Sequence, residues 1–411
     1  MSRNIVFVSA GAFAFGECVL ALNFARGLSP FLYRPCFIVS PINQPLFGNR
    51  DRFEVLTLYP EAPSVNSVLV KDFLERNPPD LFVLCDFLTF EHASAEHGMS
   101  IDYLRTFEKP IVSLDSYEWE STAFVLDFLA GIRRSVSPIL LDLDGGLRPC
   151  PINKPSTLEA RSACYSFFRQ LGMPDFASQP KTREELGIPN GRLLIVSAIA
   201  PWEALSTRQI PPGPFRDLVP QLIQRYVSLL DVPVFWVRIG ATREPAFVEQ
   251  GRVTVHDCPS LPASEFDALV FAADLLVTTN VASTTLAKRV GHGQPALCLH
   301  NSVSADGPQD LCHTNVRIQE STLELLADAF PVRPFRMFPL GWYDFLGPVM
   351  RGNPYLDTFY PVEILDEEQA VAAMRRAVSE GEGEAKTKRA AYRELLASLP
   401  LPDDCVDHFV R

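Results

Sequence analysis

One stretch, Ala272 to Asn301, limits what this chain can fold into more than any other. It reads AADLLVTTNVASTTLAKRVGHGQPALCLHN. The apolar run from Asp274 to Thr279 predicts a buried parallel strand, and Asn280-Val281-Ala282 a turn. Ser283, Thr284 and Thr285 stand where a helix begins. That helix runs through Ala287 and Arg289 and stops at Gly291-His292-Gly293. Pro295 and a second apolar run, Ala296 to Leu299, follow. The result is one strand–helix–strand unit with three hydroxyl residues at the helix mouth. Free N–H groups and the helix dipole favour an anion there. Serine and threonine are also ordinary helix caps, so both readings stand at this point.

The rest of the chain repeats the alternation. Strands are expected over Asn4–Ser9, Tyr33–Ser40, Phe53–Leu58, Asp80–Cys85, Lys109–Asp115 and Ser135–Leu141, with helices between them, among them Cys18–Leu28 and Val65–Arg76. Cys150 to Lys181 breaks the rhythm with several prolines and an expected helix, Leu158–Gln170. Strands then resume at Arg192–Ser197, Pro233–Ile239 and Val253–His256, with helices at Phe215–Leu230 and Ser264–Ala272. Two polar-faced helices, Glu367–Ser379 and Ala385–Ser398, close the chain. A chain of 411 residues exceeds one ordinary core. The expected architecture is α/β: two Rossmann-like parallel-sheet domains facing a cleft. The expected bounds are residues 1–150, a connection 151–181, a second domain 182–355, and terminal helices 356–411.

Composition excludes several functions. The net charge of −12 argues against a broad nucleic-acid surface. No apolar run reaches the roughly 20 residues of a membrane span, and no signal peptide is expected before the strand at Asn4. Nine cysteines without C-x-x-C spacing suit a reducing cytoplasm. Seven histidines without H-x-x-x-H or H-E-x-x-H spacing predict no structural or catalytic zinc. The loop Gly11 to Glu17 is not G-x-G-x-x-G, and no acid follows the second strand at the right spacing, so no dinucleotide cofactor is expected.

The pattern of strand, small polar turn, S/T-rich helix start and G-x-P before the next strand resembles the donor half of GT-B glycosyltransferases. The UDP-glycosyltransferases and the N-acetylglucosaminyltransferase of peptidoglycan synthesis carry it as roughly H-G-G-x-x-[ST]-x-x-E-A-x-x-x-G-x-P. In register with Gly293 and Pro295, Asn280 takes the place of the family His, and Val281-Ala282 that of the Gly pair. Thr285 falls on the family Ser/Thr, and Lys288 on the Glu that usually holds the donor ribose. Hydrolysing UDP-N-acetylglucosamine 2-epimerases share this frame. The resemblance implies a metal-independent transferase using a nucleotide-diphosphate sugar as co-substrate and a small-molecule hydroxyl acceptor, as a monomer or homodimer. It implies donor or phosphate contacts from Ser197, Arg238, Asn280, Ser283, Thr284, Thr285 and Lys288, and donor-sugar contacts from Asp306, Gln309 and Asp310.

Glu17 is the first candidate base. It stands in the first turn of helix one after Gly16, where the Kdo transferases place a Glu after a Gly and many GT-B enzymes a His. A partly buried carboxylate within reach can deprotonate an acceptor hydroxyl. An acid at a helix start also simply favours the dipole. Asp115 and Asp86 end strands at the same sheet edge, as orienting acids or turn caps. Phe13, Phe15, Gly16, Tyr117 and Trp119 are the expected acceptor contacts. Two rival readings keep the fold: a nucleotide-sugar hydrolase or 2-epimerase using Glu17, Asp86 and Asp115 together, and a non-catalytic relative.

Overall fold

The computed structural model describes residues 2–11, 14–48, 53–91, 93–122, 124–167, 183–185, 187–200, 202–203, 213–379 and 383–410. Two seven-stranded sheets organise them. The first contains β1 (Arg3–Ser9), β2 (Tyr33–Val39), β3 (Glu54–Thr57), β4 (Leu81–Leu84), β5 (Ile111–Leu114), β8 (Gly145–Cys150) and β9 (Ser162–Ser166). Its order is β3-β2-β1-β4-β5-β8-β9, all parallel. A separate antiparallel hairpin pairs β6 (Val125–Asp127) with β7 (Arg133–Ser135). The second sheet contains β10 (Leu193–Ala198), β11 (Val234–Ile239), β12 (Ala246–Gln250), β13 (Val253–Cys258), β14 (Leu275–Thr278), β15 (Ala296–His300) and β16 (Tyr360–Glu363). Its order is β12-β13-β11-β10-β14-β15-β16, parallel except for β12.

The strands form where the sequence is apolar on both faces. Ile5, Val6, Phe7 and Val8 are all wholly buried, as are Leu81 to Leu84. Such runs suit a sheet covered by helices on both sides. In both sheets the strand order reverses beside the first strand, at β1/β4 and at β10/β14. Crevices open there beyond the carboxyl ends of the strands.

Two expected elements differ. Ser135–Leu141 is no sheet strand: β7 ends at Ser135, and Pro138–Asp142 is a 3-10 turn. Over residues 158–167, the described part of the helix expected at Leu158–Gln170, there is no helix, and Ser162–Ser166 is instead the outermost strand of the first sheet, buried throughout. Its cover comes from far along the chain. The helices Glu384–Ala397 and Pro402–Phe409 cross back onto it. Tyr392 Oη donates to Pro151 O (3.2 Å), and Ser29 N to Asp403 Oδ1 (2.9 Å). β16 and the helix Tyr343–Met350 were not expected from the sequence. Of the expected connection, 168–181 lies outside the described residues.

The hairpin pins the domains together. Asp127 accepts backbone hydrogen bonds from Tyr343 (2.7 Å), Asp344 (3.1 Å) and Phe345 (3.0 Å), capping the Tyr343–Met350 helix from the other domain. Leu129, at the hairpin tip, is buried in the second domain's core. Gly341, at φ +87°, lies against the 127–129 backbone so closely that a Cβ would collide with it. Among the described residues no helix is long and apolar enough to cross a membrane.

Candidate active site

Gly11 follows β1, and the helix Phe15–Arg26 starts at once, with Glu17 in its first turn. Asp86 follows β4 and heads the short helix Phe87–Phe90. Between them a cavity of about 370 Å³ opens toward the second domain. The first domain contributes Glu17, Asp86, Phe87, Leu88, Tyr117, Phe128 and Arg134 to its wall, and the second Trp202, Met337, Leu340 and Trp342. The wall is largely apolar, with the carboxylates on the first-domain side.

Burial pushes Glu17 up to about 7; the negative charge of Asp86 adds to this, and the hydroxyl of Tyr117 opposes it. That hydroxyl donates to Glu17 Oε1 at 3.4 Å. Burial raises Asp86 to about 6, against the hydrogen bond it accepts from Gly11 N at 2.5 Å. The approach requires glycine: a Cβ at position 11 would overlap the Asp86 carboxylate. Among the described residues, Asp86 Oδ1 is buried without a hydrogen-bond partner.

Asp115 does not reach this cavity. It is fully buried and accepts from the backbone N–H of Tyr117 (3.1 Å) and Trp119 (3.2 Å) and from Arg148 Nε (3.3 Å). Its carboxylate shapes the loop that carries Tyr117. Trp119 also turns away: its indole N–H donates to Ser113 Oγ, and Arg161 lies over its ring. Phe15 and Gly16 are half-buried beside the cavity but outside its wall. Phe13 lies outside the described residues. The aromatic wall is thus Tyr117 with Phe87, Phe128, Trp202 and Trp342, four of which sequence patterns did not single out. Tyr117 packs edge-on against Trp342 across the domain boundary.

A second cavity, about 340 Å³, lies beyond the carboxyl ends of β10, β11 and β14. Ser197, Glu203, Trp236, Arg238, Thr278, Thr279 and Phe338 border it. Asn280 follows directly, its side chain accepting from Ala282 N (2.9 Å). Ser283 caps the helix Thr284–Gly291 through Leu286 N, and Thr284 and Thr285 are half-buried in its first turn. The expected cations are committed elsewhere. Arg238 forms a two-pronged pair with Asp257 (2.5 and 2.6 Å). Lys288 pairs with Asp267 (2.7 Å). Arg289 is fully buried among the carbonyls of Val270, Ala273 and Pro295. Ser197 Oγ accepts from the Trp236 indole (3.1 Å).

Asp306, Gln309 and Asp310 border neither cavity. Asp306 pairs with Arg333 (2.6 Å), Gln309 is exposed, and Asp310 accepts from the N–H groups of Asp306 and Gly307. Sequence reading missed Glu203. It borders the second cavity, and burial pushes its carboxyl up to about 8. The available signal was an acid just past a parallel strand's carboxyl end. Trp202 and Glu203, adjacent in sequence, serve the two cavities.

Two parallel-sheet domains, joined across a cleft that their switch points border, define the GT-B class. Solved structures agree. The chain is similar to the spinosyn rhamnosyltransferase SpnG in complex with thymidine diphosphate, at 10% identity and TM-score 0.53, covering 98% of this chain and 99% of that one. The spinosyn forosaminyltransferase SpnP gives 13% and 0.52, covering 99% and 98%. Arabidopsis thaliana UGT89C1 in complex with UDP gives 11% and 0.53, covering 100% and 99%. At these identities the likeness is one of fold. No curated protein matches the sequence. The chain belongs to a family of unknown function, DUF6365, which matches residues 24–411.

Proposed function

We propose that the protein is a glycosyltransferase that moves a sugar from a nucleotide-diphosphate sugar to a hydroxyl of a small, largely apolar acceptor. The observation that carries this reading is Glu17: a half-buried carboxylate in the wall of the interdomain cavity, raised to about 7 and held by Tyr117. A base of that strength can take a hydroxyl proton near neutral pH. The apolar wall suits an acceptor with few polar groups. The donor binds at the second domain, its phosphates toward Asn280, Thr284 and Thr285, where free helix N–H groups favour an anion. Asp86 and Tyr117 position Glu17, and Asp115 acts only through the Tyr117 loop.

The test is a panel of UDP-, dTDP- and GDP-sugars with hydroxylated aromatic and alicyclic acceptors, read by mass spectrometry. Glu17→Gln is expected to lower product formation about 10²- to 10⁴-fold while leaving nucleoside-diphosphate binding intact. No turnover across the panel, or a Glu17→Gln variant as active as the parent, refutes the reading. The Glu17–Asp86 pair on one cavity favours a second reading, hydrolysis or epimerisation of the donor alone. Donor consumption without an acceptor would select it.

A further inference from the structure

Among the described residues, the wall of the first cavity carries three charged side chains: Glu17, Asp86 and Arg134. Glu17 and Asp86 are the base and its neighbour, and the cation has no part in that pair. The β6–β7 hairpin places it. Leu126 and Phe128, two positions apart, face the cavity, and Asp127 between them turns to the opposite side to cap the Tyr343–Met350 helix. Arg134 is the cross-strand partner of Leu126, so its side chain shares the cavity face. Its neighbour Arg133 goes to the other face and pairs with Asp344 at 3.0 Å. Among the described residues the Arg134 guanidinium has no ion pair and no hydrogen bond. Nor is it among the charges that set the acidity of Glu17 or Asp86. It is exposed, which puts it at the rim of the cavity. The cap from Asp127 and the burial of Leu129 fix the hairpin on which it stands.

A guanidinium presents a planar fork of N–H donors that matches a carboxylate. Ionised Glu17 and Asp86 repel a carboxylate, and Arg134 attracts one. An acceptor that carries one is therefore oriented, with its hydroxyl toward Glu17 and its anionic end toward the hairpin. The aromatic and aliphatic wall covers what lies between. We propose that the acceptor is a hydroxy acid whose carboxylate is bound by Arg134 at the cavity rim while its hydroxyl faces Glu17. This inference rests on the acceptor-site reading above. The donor's diphosphate is the other anion such a protein would hold. That reading gives it to Asn280, Thr284 and Thr285 of the second domain, and Arg134 does not border the second cavity.

The experiment uses matched acceptors: hydroxylated aromatic and alicyclic carboxylic acids, each beside its methyl ester. They are offered with the UDP-, dTDP- and GDP-sugars at about pH 7.5, where a free carboxylic acid is ionised. For the parent protein kcat/KM is expected to favour the acid over its ester by roughly fivefold or more, carried by KM. Arg134→Gln should bring the two within about twofold of each other. Arg134→Lys, which keeps the charge without the fork, should retain part of the preference. Equal use of acid and ester by the parent, or a preference that survives in Arg134→Gln, overturns this inference and leaves the transferase standing. So does a loss of UDP or dTDP affinity in Arg134→Gln, read by calorimetry, which would place the cation on the donor. No turnover of any acceptor by the parent overturns both.

Discussion

Glu17 carries its proton at pH values where an exposed glutamate has lost it, and this has two consequences of opposite sense. As a base it must be ionised, so transfer activity should rise with pH and level off above about 7. For stability the direction reverses. With a folded-state value raised above the unfolded one, the favourable contribution is complete below about 4.5 and is lost as pH rises through 7. Glu17→Gln should therefore raise the melting temperature at pH 8 by a few degrees and change it little at pH 4. A profile of Tm against pH for the two proteins checks this; equal curves would show that the carboxylate is not held in a desolvated site. Gly11 makes a complementary case. Gly11→Ala pushes a Cβ into the Asp86 carboxylate and breaks its hydrogen bond. A loss of about 1–3 kcal/mol in urea unfolding is expected. None of this pairing was visible in the linear pattern, because Gly11 and Asp86 meet only when β1 and β4 lie side by side.

Among the elements, the β6–β7 hairpin decides how the two domains face each other. The start of the Tyr343–Met350 helix has no side-chain cap of its own and takes one from Asp127 of the other domain. Asp127→Ala should cost about 1–2 kcal/mol. It should also speed amide hydrogen exchange at residues 343–345. Exchange unchanged there would mean that the interface does not depend on this cap. Leu129→Ala removes a side chain from the second domain's core, at an expected cost of about 2–4 kcal/mol. The strand–helix–strand unit at Asp274 to Leu299 shows the opposite case. Its period and punctuation were legible in full, and the structure places β14, the helix Thr284–Gly291 and β15 there. The hairpin was not legible, since three-residue strands carry too little pattern to be told from a loop.

For the whole molecule, the terminal helices belong to the first domain's stability although they follow the second in sequence. Removing residues 384–411 would strip the cover from β9, whose five residues are all buried. The truncated chain is expected to be insoluble or to lose its cooperative thermal transition by calorimetry. A soluble fragment melting like the parent would contradict this.

By itself the sequence determined the two parallel sheets, most of their strands and the helix mouth after β14, because apolar runs and turn residues act over a few neighbouring positions. Glu17 was also within reach, since an acid directly after a strand–loop–glycine junction sits at a sheet's carboxyl edge whatever packs around it. Only the tertiary structure decided which charged groups are free. Arg238, Lys288 and Asp115 looked available and are held by Asp257, Asp267 and Arg148. Glu203 looked ordinary and stands in the wall of the second cavity. The physical reason is that a side chain's charge acts on whatever lies within a few ångströms, and those partners come from strands and helices distant in the chain.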